Sequence, residues 1–430
     1  MISSSPDGWP QAAYVHIPFC RRRCYYCDFP VTVTGDRRHG GNFAPIPQYV
    51  AAVCQEIRQT LRPIVIPPGN PGQNPATPLS QGKPSGNPMA AIDRPPLTTV
   101  FLGGGTPSLL TPQQVDQILH TLDALGGGRS TWECSMEVDP GTFSLEEIQG
   151  YQRVGVNRYS LGVQAFEDDL LAACGRFHRR ADIVRAVAML GEAGAQNWSL
   201  DLIAGLPQQT LAQWEAGLHQ AIALDPPHIS LYDLTLEPGT VFGKRYQPGA
   251  DPLPEESTTA QMYCRAHEIL TAAGYDHYEV SNYSKPGYQC RHNRVYWQNQ
   301  PYYGFGMGAT SYVGGIRHSR PRRTQDYYHW LEQGAIVPPD LSADGDHDRL
   351  LDTLMLGLRL AEGLPLGRLQ GEFGPQTIAN LRSHCIPWID LGWLELVPDP
   401  QGQEHLRLTQ PQGFLFSNQV LAGLFARLGE

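Results

Sequence analysis

The sequence predicts an α/β chain: a partial (β/α)6 barrel followed by a smaller C-terminal domain of helix-plus-hairpin, winged type. Three observations carry this. Short apolar segments rich in β-branched residues alternate with amphipathic helical segments up to about residue 245, the pattern of parallel βαβ units buried on both faces. Glycine-rich and polar signals fall together at the carboxyl ends of those strands, the face on which α/β barrels build their chemistry. Past residue 245 the alternation stops.

In order, Tyr14-Val15-His16-Ile17 is the first strand, ended by Pro18. Tyr49, Val50, Val53, Ile57 and Leu61 then recur at helical spacing. Residues 63–96 are mostly Pro, Gly, Asn, Ser and Gln, which bury too little apolar surface to offset the entropy of ordering and read as a flexible insertion. Thr98 to Leu102 is the second strand and runs into Gly103-Gly104-Gly105-Thr106-Pro107. Thr111, Pro112 and Gln114 open the next helix with a capping box. Cys134 to Pro140 is the third strand, with Ser144 and Glu147 as the following box, and Asn157 to Gln164 the fourth. Ile183, Val184, Val187 and Leu190 mark the helix after it. Trp198 to Pro207 is the fifth strand, with Thr210 and Gln213 capping the next helix, and His228 to Glu237 the sixth. These assign residues 1–245 to the barrel. Residues 246–340, with a helix from Ser257 to Gly274, form a polar, aromatic linking region, and 341–430 the winged-type domain.

Thirty-two basic side chains against 42 acidic ones leave a net charge of −10, which argues against a nucleic-acid-binding surface. Arg21-Arg22-Arg23 is a local exception, suited to steering an anion or simply to facing water. Nine cysteines, three clustered and the rest scattered, make no disulfide framework and point to a reducing, cytoplasmic setting. The chain opens on no basic segment followed by an apolar one and contains no apolar run of spanning length; peripheral contact with a membrane is compatible with this.

The chemistry concentrates after the first strand. Cys20, Cys24 and Cys27 are spaced C-x3-C-x2-C, and thiolates are soft ligands suited to iron-sulfur or zinc. A structural zinc needs a fourth protein ligand, for which His16 is a candidate, although it lies on the strand and not in the loop. Three cysteines on a four-iron cluster leave one iron open. With Tyr26 just before the third cysteine, this loop resembles that of the radical S-adenosylmethionine (SAM) proteins, which implies a [4Fe-4S] cluster on Cys20, Cys24 and Cys27. Gly103-Gly104-Gly105 permits close backbone approach of a small polar ligand; the resemblance places the methionine end of SAM at Gly104, Gly105 and Thr106, and cofactor contacts at Tyr14 and Tyr26.

Met136-Glu137-Val138-Asp139-Pro140, Gly162-Val163-Gln164, Gly175-Arg176 and the run from Asp201 to Thr210 are together similar to the branch holding oxygen-independent coproporphyrinogen III oxidase. Glu137, Gln164, Arg176 and Asp201 are the implied SAM contacts. The oxidase carries a fourth cysteine two residues after the third and a longer segment before the cluster; here that position is Phe29, and nineteen residues precede Cys20. His292-Asn293-Arg294-Val295-Tyr296-Trp297 matches the H-N-x-x-Y-W signature of the HemW-type heme chaperones. A neutral imidazole can ligate heme iron, and Tyr and Trp offer flat faces to a porphyrin. The resemblance therefore implies heme as a third cofactor, with His292, Tyr296 and Trp297 at its site, and acceptor hemoproteins as partners, membrane-bound respiratory ones among them, with no nucleic acid; a homodimer is a further expectation. The rival reading is the oxidase itself; a third is a radical SAM enzyme with another substrate, in which the His292 to Trp297 run is a packed turn.

Overall fold

The computed structural model describes residues 8–35, 40–60, 94–124, 126–335 and 345–428. Of the 63–96 insertion, all but residues 94–96 lie outside the described residues.

Nine strands form one sheet: β1 (Ala12–Ile17), β2 (Thr99–Gly104), β3 (Glu133–Val138), β4 (Arg158–Gln164), β5 (Trp198–Ala204), β6 (His228–Asp233), β7 (Asp276–Glu279), β8 (Asn282–Ser284) and β9 (Tyr303–Phe305), in the order β9-β1-β2-β3-β4-β5-β6-β8-β7. Strands β1 to β6 pair in parallel, neighbour to neighbour, which is the partial (β/α)6 barrel that the alternation predicts. Among the described residues the sheet stays open. Residues 246–340, read from composition as a linking region, complete both of its edges: β9 adds in parallel beside β1, and β8 adds antiparallel beside β6.

The helices form where local signals place them. Capping boxes at Thr111/Gln114, Ser144/Glu147 and Thr210/Gln213 are all made, each satisfying orphan amide groups of a first turn. Side chains alternate across each strand. Val15, Leu102, Met136, Leu161, Leu200 and Ile229 face the helices in one core, while the other row is unusually polar: Glu137 stands beside Ser160, Ser160 beside Ser199, and Asp201 beside Ser230. Those inward groups are where a ligand can be met.

Residues 346–428 build a second core around Leu354, Leu369, Leu381, Leu406 and Leu424. Helices Asp346–Gly357, Leu366–Phe373, Pro375–Asp390 and Ser417–Leu428 pack on a small antiparallel sheet whose hairpin is Leu394–Pro398 with Glu404–Leu408. Among the described residues no helix is long and apolar enough to cross a membrane.

Candidate functional site

At the carboxyl end of the parallel strands a cavity of about 450 Å³ opens. It gathers the three clustered cysteines and every sequence-predicted SAM contact except Tyr14: Tyr26, Gly104, Gly105, Thr106, Glu137, Gln164, Arg176 and Asp201 all line it.

The cysteine loop is held from several sides. The Thr32 and Thr34 amides donate to the Pro18 and Cys20 carbonyls at 2.5 and 2.8 Å, and the Tyr25 amide donates to the Cys174 carbonyl at 3.0 Å. His16 Nε2 donates to the Pro30 carbonyl at 3.1 Å, so Nδ1 is left to accept from the Tyr14 hydroxyl at 3.1 Å. Burial pushes the His16 pKa down to about 4. With both ring nitrogens engaged, His16 serves as a brace for the loop and not as a fourth metal ligand. Tyr14 thus lies behind the cavity wall, beside Gly103.

The donor set suits an iron-sulfur cluster. Cys20, Cys24 and Cys27 bring three thiols to one cavity, and His16, the candidate fourth ligand of a zinc site, has both ring nitrogens engaged. Two hydrogen-bond donors aim at their sulfurs: the Thr106 hydroxyl at Cys20 Sγ, 3.7 Å, and Arg176 Nη1 at Cys24 Sγ, 3.4 Å. Such donors stabilise thiolate ligands and tune a cluster's potential. In the bare thiol state burial raises the Cys20 and Cys27 pKa values, with the Thr106 hydroxyl opposing it at Cys20.

Arg176 is tied further, in a buried ion pair with Asp139 and by Nη2 to the Gly162 carbonyl at 2.9 Å. Asp139 also accepts from the Thr106 hydroxyl at 2.9 Å. Sequence reasoning did not single Asp139 out as a site residue. Its signal was available, since it stands two positions beyond Glu137, just past the carboxyl end of β3 where the other polar groups gather.

Glu137 accepts the Gly104 amide at 2.9 Å. Desolvation, opposed by that hydrogen bond and reinforced by Asp201 and Asp139, pushes its pKa up to about 8. Asp201 lies mid-strand and not at the strand end that the sequence suggests, yet it reaches the cavity. Its carboxylate takes the Ser160 hydroxyl at 3.0 and 2.8 Å and the Ser199 hydroxyl at 3.1 Å, while burial raises its pKa. Gln164 ends β4 at φ 68°, in the left-handed region, a conformation non-glycine residues hold mainly where the surroundings enforce it. Gly162 is obligatory beside it: a Cβ there would stand 2.7 Å from Asp139 Oδ1 and 3.0 Å from Gln164 Nε2.

The predicted heme residues lie elsewhere. His292, Tyr296 and Trp297 belong to the helix Arg291–Trp297, which plugs the opposite, amino-terminal end of the barrel. The amides of Arg291 and His292 donate to the Glu133 carboxylate at the start of β3, at 3.2 and 3.1 Å. His292 is fully buried; its Nδ1 is 2.9 Å from the Thr99 hydroxyl and its Nε2 2.9 Å from the Tyr296 hydroxyl. Burial, with the Arg158 charge, pushes its pKa down to about 3, so the ring is neutral but has no free nitrogen. Tyr296 is T-stacked on Tyr302, and Arg359 lies over the Trp297 ring. Cys290, at the start of this helix, is fully buried with its pKa raised to about 11 by desolvation. A hydrogen-bonded chain nevertheless joins this floor to the cavity: the Cys290 amide donates to the Tyr278 hydroxyl (3.2 Å), which meets His228 Nε2 (2.8 Å), whose Nδ1 meets the Ser199 hydroxyl (2.9 Å) beside Asp201.

The family model described as "Radical SAM superfamily" matches residues 87–221. A protein of Synechocystis sp. named heme chaperone HemW is 45% identical over 98% of this chain and 98% of its own. The chain belongs to the HemW heme chaperone family. HemW relatives from Bacillus subtilis (33% identical, 97% of this chain and 100% of theirs) and Escherichia coli (36% identical, 83% and 84%) agree. Among solved structures, coproporphyrinogen III oxidase (HemN) from E. coli, titled a radical SAM enzyme, matches with a TM-score of 0.75 over 98% of this chain and 91% of its own, at 22% identity. That likeness shows the fold alone.

Proposed function

We propose that this chain is a radical SAM-fold heme chaperone, which binds heme and delivers it to acceptor hemoproteins with the help of a [4Fe-4S] cluster and SAM. The observation that carries the reading is the 45% identity with a HemW heme chaperone across 98% of the chain. In this reading Cys20, Cys24 and Cys27 hold the cluster. Tyr26, Gly104, Gly105, Thr106, Glu137, Gln164 and Asp201 receive SAM, Arg176 divides its guanidinium between the cluster and Asp139, and Tyr14 orients His16 from behind. A bound cluster would supply an electron to SAM. The chain's own part is to exclude water, to present backbone amides and carboxylates to the ligand's polar ends, and to keep a proton on Glu137 at neutral pH.

Ligation of heme iron by His292 enters this proposal as a property of an opened state, because the imidazole gains a free nitrogen only when the helix Arg291–Trp297 leaves its seat. Tyr296 and Trp297 would be uncovered by the same movement. The proposal extends to a cytoplasmic protein in peripheral contact with the membrane, membrane-bound respiratory acceptors, a homodimer, and a winged-type domain from residue 341.

The test is anaerobic. After cluster reconstitution and addition of SAM and reductant, hemin is titrated by absorbance against wild type and His292→Ala, and coproporphyrinogen III conversion is followed in the same sample. Stoichiometric heme binding without decarboxylation is expected. Turnover to protoporphyrinogen would make the chain an oxidase and sink the reading.

A further inference from the structure

We propose that Tyr49 is the positioning residue of the cysteine loop: its hydroxyl, held between the His16 carbonyl and the Met307 amide, sets where Cys20 and the cluster it would carry stand against the SAM wall. The inference rests on the reading of the three thiols as cluster ligands and of the cavity as the SAM site. Each main-chain carbonyl from His16 to Cys20 has a donor. The amides of Gly105, Thr32, Thr106 and Thr34 serve Ile17, Pro18, Phe19 and Cys20 at 2.9, 2.5, 2.7 and 2.8 Å, and the Tyr49 hydroxyl serves His16 at 2.8 Å. Gly105 and Thr106 belong to the wall itself, so loop and wall already meet through main chain. What is left to set is the side that faces β9.

Tyr49 enters where the sheet would otherwise continue. Val15 pairs with Phe305 in the parallel ladder, and one more step would set the His16 carbonyl on the Met307 amide. Instead the Met307 amide donates to the Tyr49 oxygen at 2.9 Å, and that hydroxyl donates onward to His16. The Tyr49 ring is buried and packs edge-on against Phe19, 5.5 Å between centroids, immediately before Cys20. Glu56, about two turns further along the helix Pro45–Thr60, fixes the other side of the turn. It accepts the Gly306 amide at 2.8 Å and is itself held by Arg320 and by the Tyr327 hydroxyl, each at 2.7 Å. Gly306 and Gly308 permit the close approach: a Cβ on the first would stand 2.6 Å from the Tyr49 oxygen, and one on the second 2.5 Å from Pro30 Cγ. Pro30 is the residue whose carbonyl takes the His16 ring. Removing the Tyr49 hydroxyl leaves a buried amide and a buried carbonyl without partners. They satisfy each other only if strand and turn close on the gap, which carries the start of the cysteine loop with them.

The test uses the full chain with its cluster reconstituted anaerobically and SAM as the probe. Tyr49→Phe should take up iron and sulfide as wild type does, bind SAM about tenfold more weakly by equilibrium dialysis, and change the electron paramagnetic resonance g-values of the reduced cluster. Gly308→Ala pushes the same turn off Pro30 with the hydroxyl kept, and should alter both readouts as well. Tyr275→Phe is the control. It takes a buried hydroxyl from a main-chain carbonyl, that of Pro226 at 2.7 Å, beside the opposite edge strand β7, and should lower thermal stability comparably while SAM affinity stays within about twofold and the spectrum is unchanged. Wild-type affinity and spectrum in Tyr49→Phe overturn the inference, as does an equal loss in Tyr275→Phe. Should Tyr49→Phe fail to fold, Gly308→Ala decides by the same two readouts. If the wild type builds no four-iron cluster, the reading of the three thiols falls and this inference with it; if it builds one but does not bind SAM, the SAM reading falls by itself and the g-values decide on Tyr49.

Discussion

Glu137→Gln should stabilise the cofactor-free protein while weakening its hold on SAM, and the gain should grow with pH. Glu137 is buried at the cavity wall with its pKa raised to about 8, chiefly by desolvation. Below about pH 4 the carboxyl is protonated in both folded and unfolded chains, and stability is unaffected. As pH rises, the unfolded carboxyl ionises near its ordinary value of about 4.3 while the folded one retains its proton, so the folded state loses ground at ~1.4 kcal/mol per pH unit. The loss levels off once the pH passes the folded value, at an upper limit of about 5 kcal/mol. Glutamine removes the titration and keeps an oxygen for the Gly104 amide. The variant's advantage should therefore rise from about 1 kcal/mol at pH 5 to about 3–4 kcal/mol at pH 7. Urea unfolding of both proteins at pH 5, 6, 7 and 8, followed by tryptophan fluorescence, measures it. A difference that is flat across this range, or a variant less stable at pH 8, would refute the reasoning.

Three further outcomes follow from the same geometry. Arg176→Ala strands the Asp139 charge in a buried site and should cost about 3–5 kcal/mol together with iron and sulfide content after reconstitution; retention of both would mean that the ion pair is dispensable. Gly162→Ala drives a methyl against Asp139 and Gln164 and should cost about 1–3 kcal/mol with a marked loss of SAM affinity by equilibrium dialysis, whereas wild-type affinity would show that the wall can yield. Glu133→Ala removes the acceptor of two amides at the start of the floor helix, a loss of about 2–4 kcal/mol. Hydrogen exchange over residues 291–297 should then accelerate, and unchanged protection would assign the helix's anchoring to other contacts.

How much of this could be read beforehand depended on distance along the chain. Capping boxes are written within four residues, so Thr111, Ser144 and Thr210 announced their helices correctly. The cysteine loop was equally plain, because its three thiols lie within eight residues. Strands β7, β8 and β9 were not legible. They are three or four residues long, too short to display alternation, and polar groups such as Asn282 and Ser284 are buried in them because the inward face of this sheet is itself polar. The seat of His292 was hidden for a different reason. Its partners Thr99 and Glu133 lie more than 150 residues earlier, and only the seating of the helix Arg291–Trp297 at the amino-terminal ends of β2 and β3 brings them together. Asp201 was read from its motif as a strand-end group, but register, which no local pattern fixes, places it mid-strand among serines.

The pairing of β1 with β9 also sets an order of events during synthesis. The strand that leads into the cysteine loop leaves the ribosome well before one of its two neighbours in the sheet, Tyr303–Phe305, which lies nearly 300 residues later. At about 5–20 residues per second, the three thiols spend roughly 15–55 s outside the ribosome before that edge can be covered. Over the same interval, the Gly306 to Gly308 turn that packs against His16 and Pro30 has yet to emerge. Metal loading and oxidative damage therefore compete for these thiols in a nascent chain whose cofactor pocket still lacks one wall.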